Sequence, residues 1–179
     1  MNKQKVYRAG SMTPSPDAGA ACTATTAADA VRPGAHLPPR LGSLFAAPTL
    51  AGSIRWVRGN HMCRYETRLR EITVDADTTY VFSVSAWENA SWSMRGNVQE
   101  RVAAYWNTGI TLTDWLARTD AEDLDGREWE VIFAPSAVLG VRNVSAARLH
   151  AATAPSDLHE IKQITRGWAR EGRNHRVAA

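Results

Sequence analysis

The sequence predicts an α+β domain, a β-sheet core with a few flanking helices, on three observations. Short stretches alternate apolar and polar residues with a period of two, most strictly from Glu128 to Phe133. Three other stretches, 49 to 58, 97 to 106 and 157 to 170, space their apolar residues as a helix face does. The chain has 179 residues, 44% hydrophobic and 22% charged, which is ordinary composition for one globular domain and excludes fibrous and fully disordered classes.

Taken in order, Val6-Tyr7-Arg8 reads as a short strand at the N-terminus. It needs pairing in a sheet to stay ordered, so Arg8 is either a solvated edge position or a positioned anion ligand. Residues 11 to 40 hold five prolines with few large apolar side chains, which predicts a long loop, with a weak helix between Ala18 and Ala30 as the alternative. Leu41 to Phe45 predicts a strand, and Pro48-Thr49 opens a helix on which Leu50, Ile54 and Val57 form the apolar stripe. Gly59-Asn60 ends that helix. Trp56 leaves the stripe and is either a rim residue of the core or a stacking platform for a flat ring.

Arg68 to Val74 and Thr79 to Ser85 both alternate, with Asp75-Ala76-Asp77 between them, and predict consecutive strands. Residues 87 to 96 read as a polar loop bearing Trp87 and Trp92. Asn97 with Glu100 predicts the start of a helix carrying Val98, Val102, Tyr105 and Trp106, and Thr113 opens another with Leu116. Asp120, Glu122, Asp123 and Asp125 form an acidic loop running into Glu128.

From Glu128 to Phe133 the alternation predicts a strand with one face in a core. Trp129, Val131 and Phe133 fall on the buried side, Glu128, Glu130 and Ile132 on the other. Residues two apart in a strand are separated by roughly 6.5 to 7 Å. The two carboxylates are thus aimed at one place, as a solvated face or as a site. Val138 to Val144 predicts a further strand, and Asp157 with Glu160 opens a last helix with Leu158, Ile161, Ile164 or Thr165, and Trp168. From residue 160 onward, Lys162, Arg166, Arg170, Arg173 and Arg176 face Glu160 and Glu171, which equals the formal net charge of +3 for the whole chain. That tail is either solvated or holds a nucleic acid or acidic partner by counterion release.

Cys22 and Cys63 share no CxxC or Cys/His spacing, and the five histidines are scattered, so neither a disulfide framework nor a metal site is expected. No phosphate-binding glycine loop and no Gly-x-Ser-x-Gly elbow occurs. The first residues lack an apolar signal core, and no apolar run is long enough to span a bilayer, so a cytoplasmic location without a membrane is expected.

Glu128-Trp129-Glu130 leading through Val131-Ile132-Phe133 into Ala134-Pro135 resembles the last signature of the mono-ADP-ribosyltransferases of the arginine-serine-glutamate class. Val6-Tyr7-Arg8-Ala9-Gly10 is similar to that family's early arginine strand, and Ser43-Leu44-Phe45-Ala46-Ala47-Pro48-Thr49 stands where it has Ser-Thr-Ser before a helix. The resemblance spans about residues 5 to 145. It implies a split β-sheet core in a single catalytic domain over 1 to 155, followed by a C-terminal helix and basic tail over 156 to 179. It implies NAD as substrate and transfer of ADP-ribose to a macromolecular acceptor, an arginine side chain in Glu-x-Glu relatives. Glu130 and Glu128 would be the catalytic carboxylates, and Arg8, Ser43, Phe45 and Trp56 would bind the NAD. A bacterial or phage toxin or effector, with a protein acceptor and a neutralising partner, follows as the expectation. The rival expectations are a β-sandwich binding module displaying Trp87 and Trp92, and an inactive interaction protein of the same fold.

Overall fold

The alternation at 129 to 133 builds the strand around which both sheets are arranged, and in the computed structural model both of its faces are covered. The structure describes residues 1 to 10, 12, 28 to 59, 68 to 92, 97 to 118 and 128 to 177. Cys22, Cys63, the Ala18 to Ala30 helix apart from its last three residues, and the acidic loop at 120 to 125 lie outside the described residues, as do the side chains of Trp56 and Trp92.

The elements in chain order are β1 (Lys3–Ala9), β2 (Leu44–Ala46), α1 (Leu50–Gly59), β3 (Leu69–Asp75), β4 (Tyr80–Ser83), α2 (Val84–Trp92), α3 (Val98–Trp106), β5 (Ile110–Thr111), α4 (Leu112–Arg118), β6 (Trp129–Phe133), β7 (Val138–Asn143), α5 (Ala146–Ala151) and α6 (Leu158–Val177). They form two antiparallel sheets, one ordered β1-β3-β7 and the other β2-β6-β4-β5. The two meet at one bridge, where Tyr7 pairs with Ala47 just beyond β2.

Alternation sorts the side chains into three cores. Val6, Ile72 and Val74 of the first sheet meet Leu44, Val81, Val131 and Phe133 of the second, with Leu112 and Trp115 of α4 closing the end. On the far side of the first sheet, Tyr7, Leu69 and Val144 pack against Ile54 and Val57 of α1, Leu149 of α5, and Ile161, Ile164 and Trp168 of α6. On the far side of the second sheet, Phe82 and Ile132 pack against Val102, Tyr105 and Trp106 of α3 and Ala90 of α2. Helices thus cover the outer face of each sheet, which is an α+β architecture and not a β-sandwich.

Three expectations are corrected. The face of β6 that carries Glu130 and Ile132 is not open, because α3 packs over it. The strand predicted to run to Ser85 ends at Ser83, whose hydroxyl accepts the Ala86 N–H at 3.3 Å and whose own N–H is held by the Thr108 hydroxyl at 3.0 Å. A serine oxygen at that place satisfies an orphan donor of a first helical turn, so the chain turns helical at Val84. Trp87 therefore lies on a helix and not in a polar loop. β3 and β4 do follow one another as expected, and the turn after Asp75 carries the chain from the first sheet to the second, fixed where the Ala76 N–H donates to the Asn2 carbonyl at 2.8 Å.

The helix starts agree better with the sequence. Asn97 caps α3 by accepting the Gln99 N–H at 2.9 Å. Thr49 caps α1 through its hydroxyl, 3.0 Å from the Gly52 N–H. At α6, Asp157 and Glu160 both reach Arg58 of α1, at 2.6 and 2.8 Å, and so tie the last helix to the first.

Candidate functional site

The Tyr7–Ala47 bridge aligns the strand that carries Arg8 with the strand end that carries Phe45, and β2 in turn pairs with β6 through Phe45↔Ile132 and Ala46↔Val131. Glu130 is the next residue along β6. Arg8 and Phe45, 37 residues apart in sequence, thus lie on the two sides of the sheet junction, and Glu130 lies on the strand paired with β2.

Arg8 donates from Nη1 to the Phe45 carbonyl oxygen at 2.6 Å. Its cross-strand partner is Arg70, a second guanidinium on the same face, which donates to the Gly10 carbonyl at 2.6 Å. Burial, and then the charge of Arg70, lower the Arg8 pKa below its ordinary value. Two like charges opposite each other are an unfavourable cross-strand pair.

Glu130 lies opposite Phe82 in the β4–β6 ladder, and its carboxylate is 16% exposed. Arg40 grips it with both ends of the guanidinium, Nη1 to Oε1 at 2.6 Å and Nη2 to Oε2 at 3.4 Å. The Tyr105 hydroxyl donates to Oε1 at 3.0 Å and itself accepts a hydrogen bond from Arg40. The Arg40 guanidinium lies 3.5 Å from the ring centroid of Trp87, 4.8 Å from that of Phe45 and 5.1 Å from that of Tyr105. Burial lowers the Arg40 pKa, but the Glu130 charge and hydrogen bond more than reverse this, and the net shift is upward. Burial, followed by the negative charge of Glu130, raises the Tyr105 hydroxyl, so it stays a neutral donor.

Arg40 is delivered by residues 28 to 41, which cross the outer face of the second sheet without joining it. Asp29 ties the segment to itself, accepting the Arg40 N–H at 2.7 Å and the Leu41 N–H at 2.9 Å. The Trp106 indole donates to the Ala28 carbonyl at 2.9 Å, and Ala28 and Leu37 are buried against the third core.

The remaining expected residues fall differently. Glu128 precedes β6 and is exposed, and its backbone carbonyl accepts the Val84 N–H at 2.8 Å. It is not held by the contacts that enclose Glu130, so the two carboxylates do not present one equivalent face. Ser43 is buried, at 1% exposure, beside Gly42, whose φ of +77° is a backbone state that favours glycine. Phe45 contributes its carbonyl to Arg8 and its ring to Arg40. The Trp56 side chain lies outside the described residues.

Sequence reasoning missed Arg40, Tyr105 and Trp87 as members of the site. One signal was present: a tyrosine on the apolar stripe of a helix needs a partner for its hydroxyl, and a buried glutamate is the strongest available. Among the described residues no group of three or more His, Cys, Asp or Glu side chains is arranged to hold a metal ion, and no helix is long and apolar enough to cross a membrane. Compared with known proteins, the chain matches no protein-family model, no curated protein and no solved structure.

Proposed function

We propose that the chain is an NAD-dependent mono-ADP-ribosyltransferase acting on a macromolecular acceptor, with an arginine side chain favoured, in the manner of a bacterial or phage toxin or effector. The observation that carries this reading is a chain of contacts that runs from Arg8 to Glu130 across β2: Arg8 touches the Phe45 carbonyl, the Phe45 ring touches Arg40, and Arg40 holds Glu130. A guanidinium on β1 and a carboxylate on β6, the two strands that reach β2 and its end from either side, suit a dinucleotide bound by its diphosphate at one end and its ribose at the other.

In the proposed reaction the bond between nicotinamide and ribose C1′ breaks, and its electron pair leaves with neutral nicotinamide. The cationic, oxocarbenium-like ribose is stabilised by the Glu130 carboxylate, which also accepts from the 2′-hydroxyl. The acceptor nitrogen then bonds to C1′ and loses its proton to Glu128, which passes it to water. Arg40 must first yield at least one Glu130 oxygen, because both are engaged.

The test is incubation of the protein and its Glu130→Gln variant with labelled NAD and a bacterial lysate. Nicotinamide release and label transfer are expected from the unaltered protein, with a loss of about 100-fold or more in the variant. Equal activity in the variant would remove Glu130 from the reaction. A second reading, an inactive interaction protein of the same fold, is favoured by the closure of Arg40 over Glu130, and absence of activity in both proteins would select it.

A further inference from the structure

The groups around Glu130 have the chemistry of guanidinium recognition. The carboxylate offers two oxygens to the fork of a guanidinium, the Tyr105 hydroxyl adds a third polar contact, and the Trp87 ring centroid lies 3.5 Å from the guanidinium carbon, with Phe45 on another side at 4.8 Å. A planar, weakly hydrated cation is favoured there twice, by bidentate hydrogen bonding and by the negative faces of the rings. A lysine ammonium would match neither the fork nor the stack. As a device for stability alone this would be a weak choice, since a buried ion pair is often no better than apolar residues of the same volume.

The way Arg40 arrives bears on who else can occupy the place. Its segment adds no strand to either sheet, and the Asp29 carboxylate that holds the Arg40 and Leu41 N–H groups belongs to the same segment. Those two bonds therefore survive when the segment moves as a unit. Pro38 and Pro39 stiffen the approach to Arg40, and Gly42, at φ +77°, turns the chain two residues before β2. Of this stretch Ala28, Leu37 and Pro38 are buried, Val31 packs half-buried against the third core, the His36 ring meets that of Tyr80, and the Trp106 indole bonds to Ala28.

We infer that Trp87, Phe45, Tyr105 and Glu130 form a guanidinium-binding site which Arg40 fills from within the chain, and whose exchanging occupant is an arginine side chain of a partner protein. The segment 28 to 41 acts as an internal competitor. The site stands on its own geometry and needs no NAD chemistry, so it survives a failure of the transferase reading.

The site is tested by titrating agmatine, an alkylguanidinium, into the Arg40→Ala variant and following binding calorimetrically together with the melting temperature. One-to-one binding and a raised melting temperature are expected, with no effect from butylamine at equal concentration and none in Arg40→Ala/Glu130→Gln. If Arg40→Ala does not fold, Arg40→Lys, which keeps a cation opposite Glu130, is titrated instead. A folded variant that ignores agmatine, or that binds it equally without the Glu130 carboxylate, overturns the site. Exchange is tested in the unaltered chain by amide hydrogen exchange with a short arginine-bearing peptide and its lysine counterpart. Faster exchange across residues 28 to 41 with the arginine peptide alone is expected; identical exchange with both peptides overturns the partner.

Discussion

Tyr7 and Ala47 exchange two backbone hydrogen bonds, Tyr7 N–H to the Ala47 carbonyl at 2.9 Å and Ala47 N–H to the Tyr7 carbonyl at 2.7 Å, and these are the ladder that joins the two sheets. The same junction fixes Arg8 over β2. Ala47→Pro deletes one donor and leaves the Tyr7 carbonyl without it. The expected cost is about 1 to 3 kcal/mol, read as a lowered urea midpoint. An unchanged midpoint would mean that the sheets are held together by the shared core alone.

The two faces of β6 make a second prediction. Phe133 is fully buried between the sheets, while Ile132 is fully buried on the opposite side beneath α3. Phe133→Ala is expected to cost about 3 to 5 kcal/mol and Ile132→Ala about 2 to 5 kcal/mol. A strand with one solvated face would give a large loss for the first and almost none for the second, so chemical denaturation of the pair separates the two descriptions.

This difference also marks where the sequence was readable. Period-two alternation was enough for β3 and β6, and the spacing of Leu50, Ile54 and Val57 or of Val102, Tyr105 and Trp106 was enough for α1 and α3. What a periodicity cannot carry is the partner. Val131 and Ile132 are both apolar neighbours, and only the positions of β1 and α3 decide that each has a core of its own. The break at Ser83 depended on one hydroxyl reaching Ala86, and α5 on Ser145 accepting the Arg148 N–H, signals too short to outweigh the surrounding pattern. Within the site, Arg8 and Glu130 stood out because they lie on strands. Arg40 did not, since it ends a proline-rich stretch with no period and meets its carboxylate 90 residues away in sequence.

Glu71 supplies a pH dependence. Its side chain is 2% exposed and is approached by Lys5 at 3.4 Å, Arg142 at 2.6 Å and Arg148, whose other nitrogen donates to the Tyr7 hydroxyl at 2.9 Å. Burial raises the carboxyl pKa, but the hydrogen bonds from Arg142 and Arg148 outweigh it and bring it from 4.5 down to about 2. A depressed folded-state value means that the carboxylate's contribution is complete above about 4.5 and is lost as the pH falls from there through about 2. The urea midpoint should fall across that interval. In Glu71→Gln it should be lower at neutral pH, because three cations lose their anion, and its decline between pH 4.5 and 2 should be shallower. Parallel declines in both proteins would assign the acid sensitivity to other groups.

Arg40 and Glu130 are the pair whose removal distinguishes a coupled site from two separate packing positions. Arg40 is 7% exposed and Glu130 16%, so truncating either one strands an opposite charge in a poorly hydrated place. Arg40→Met and Glu130→Leu are each expected to cost about 3 to 5 kcal/mol, the cost of breaking a buried pair from one side. Making both changes together removes both charges and leaves apolar groups among Trp87, Phe45 and Ile132, so the double variant should be more stable than either single one. Additive losses in equilibrium denaturation would mean that the two side chains contribute independently, and that the contact between them is not what holds residues 28 to 41 over the second sheet.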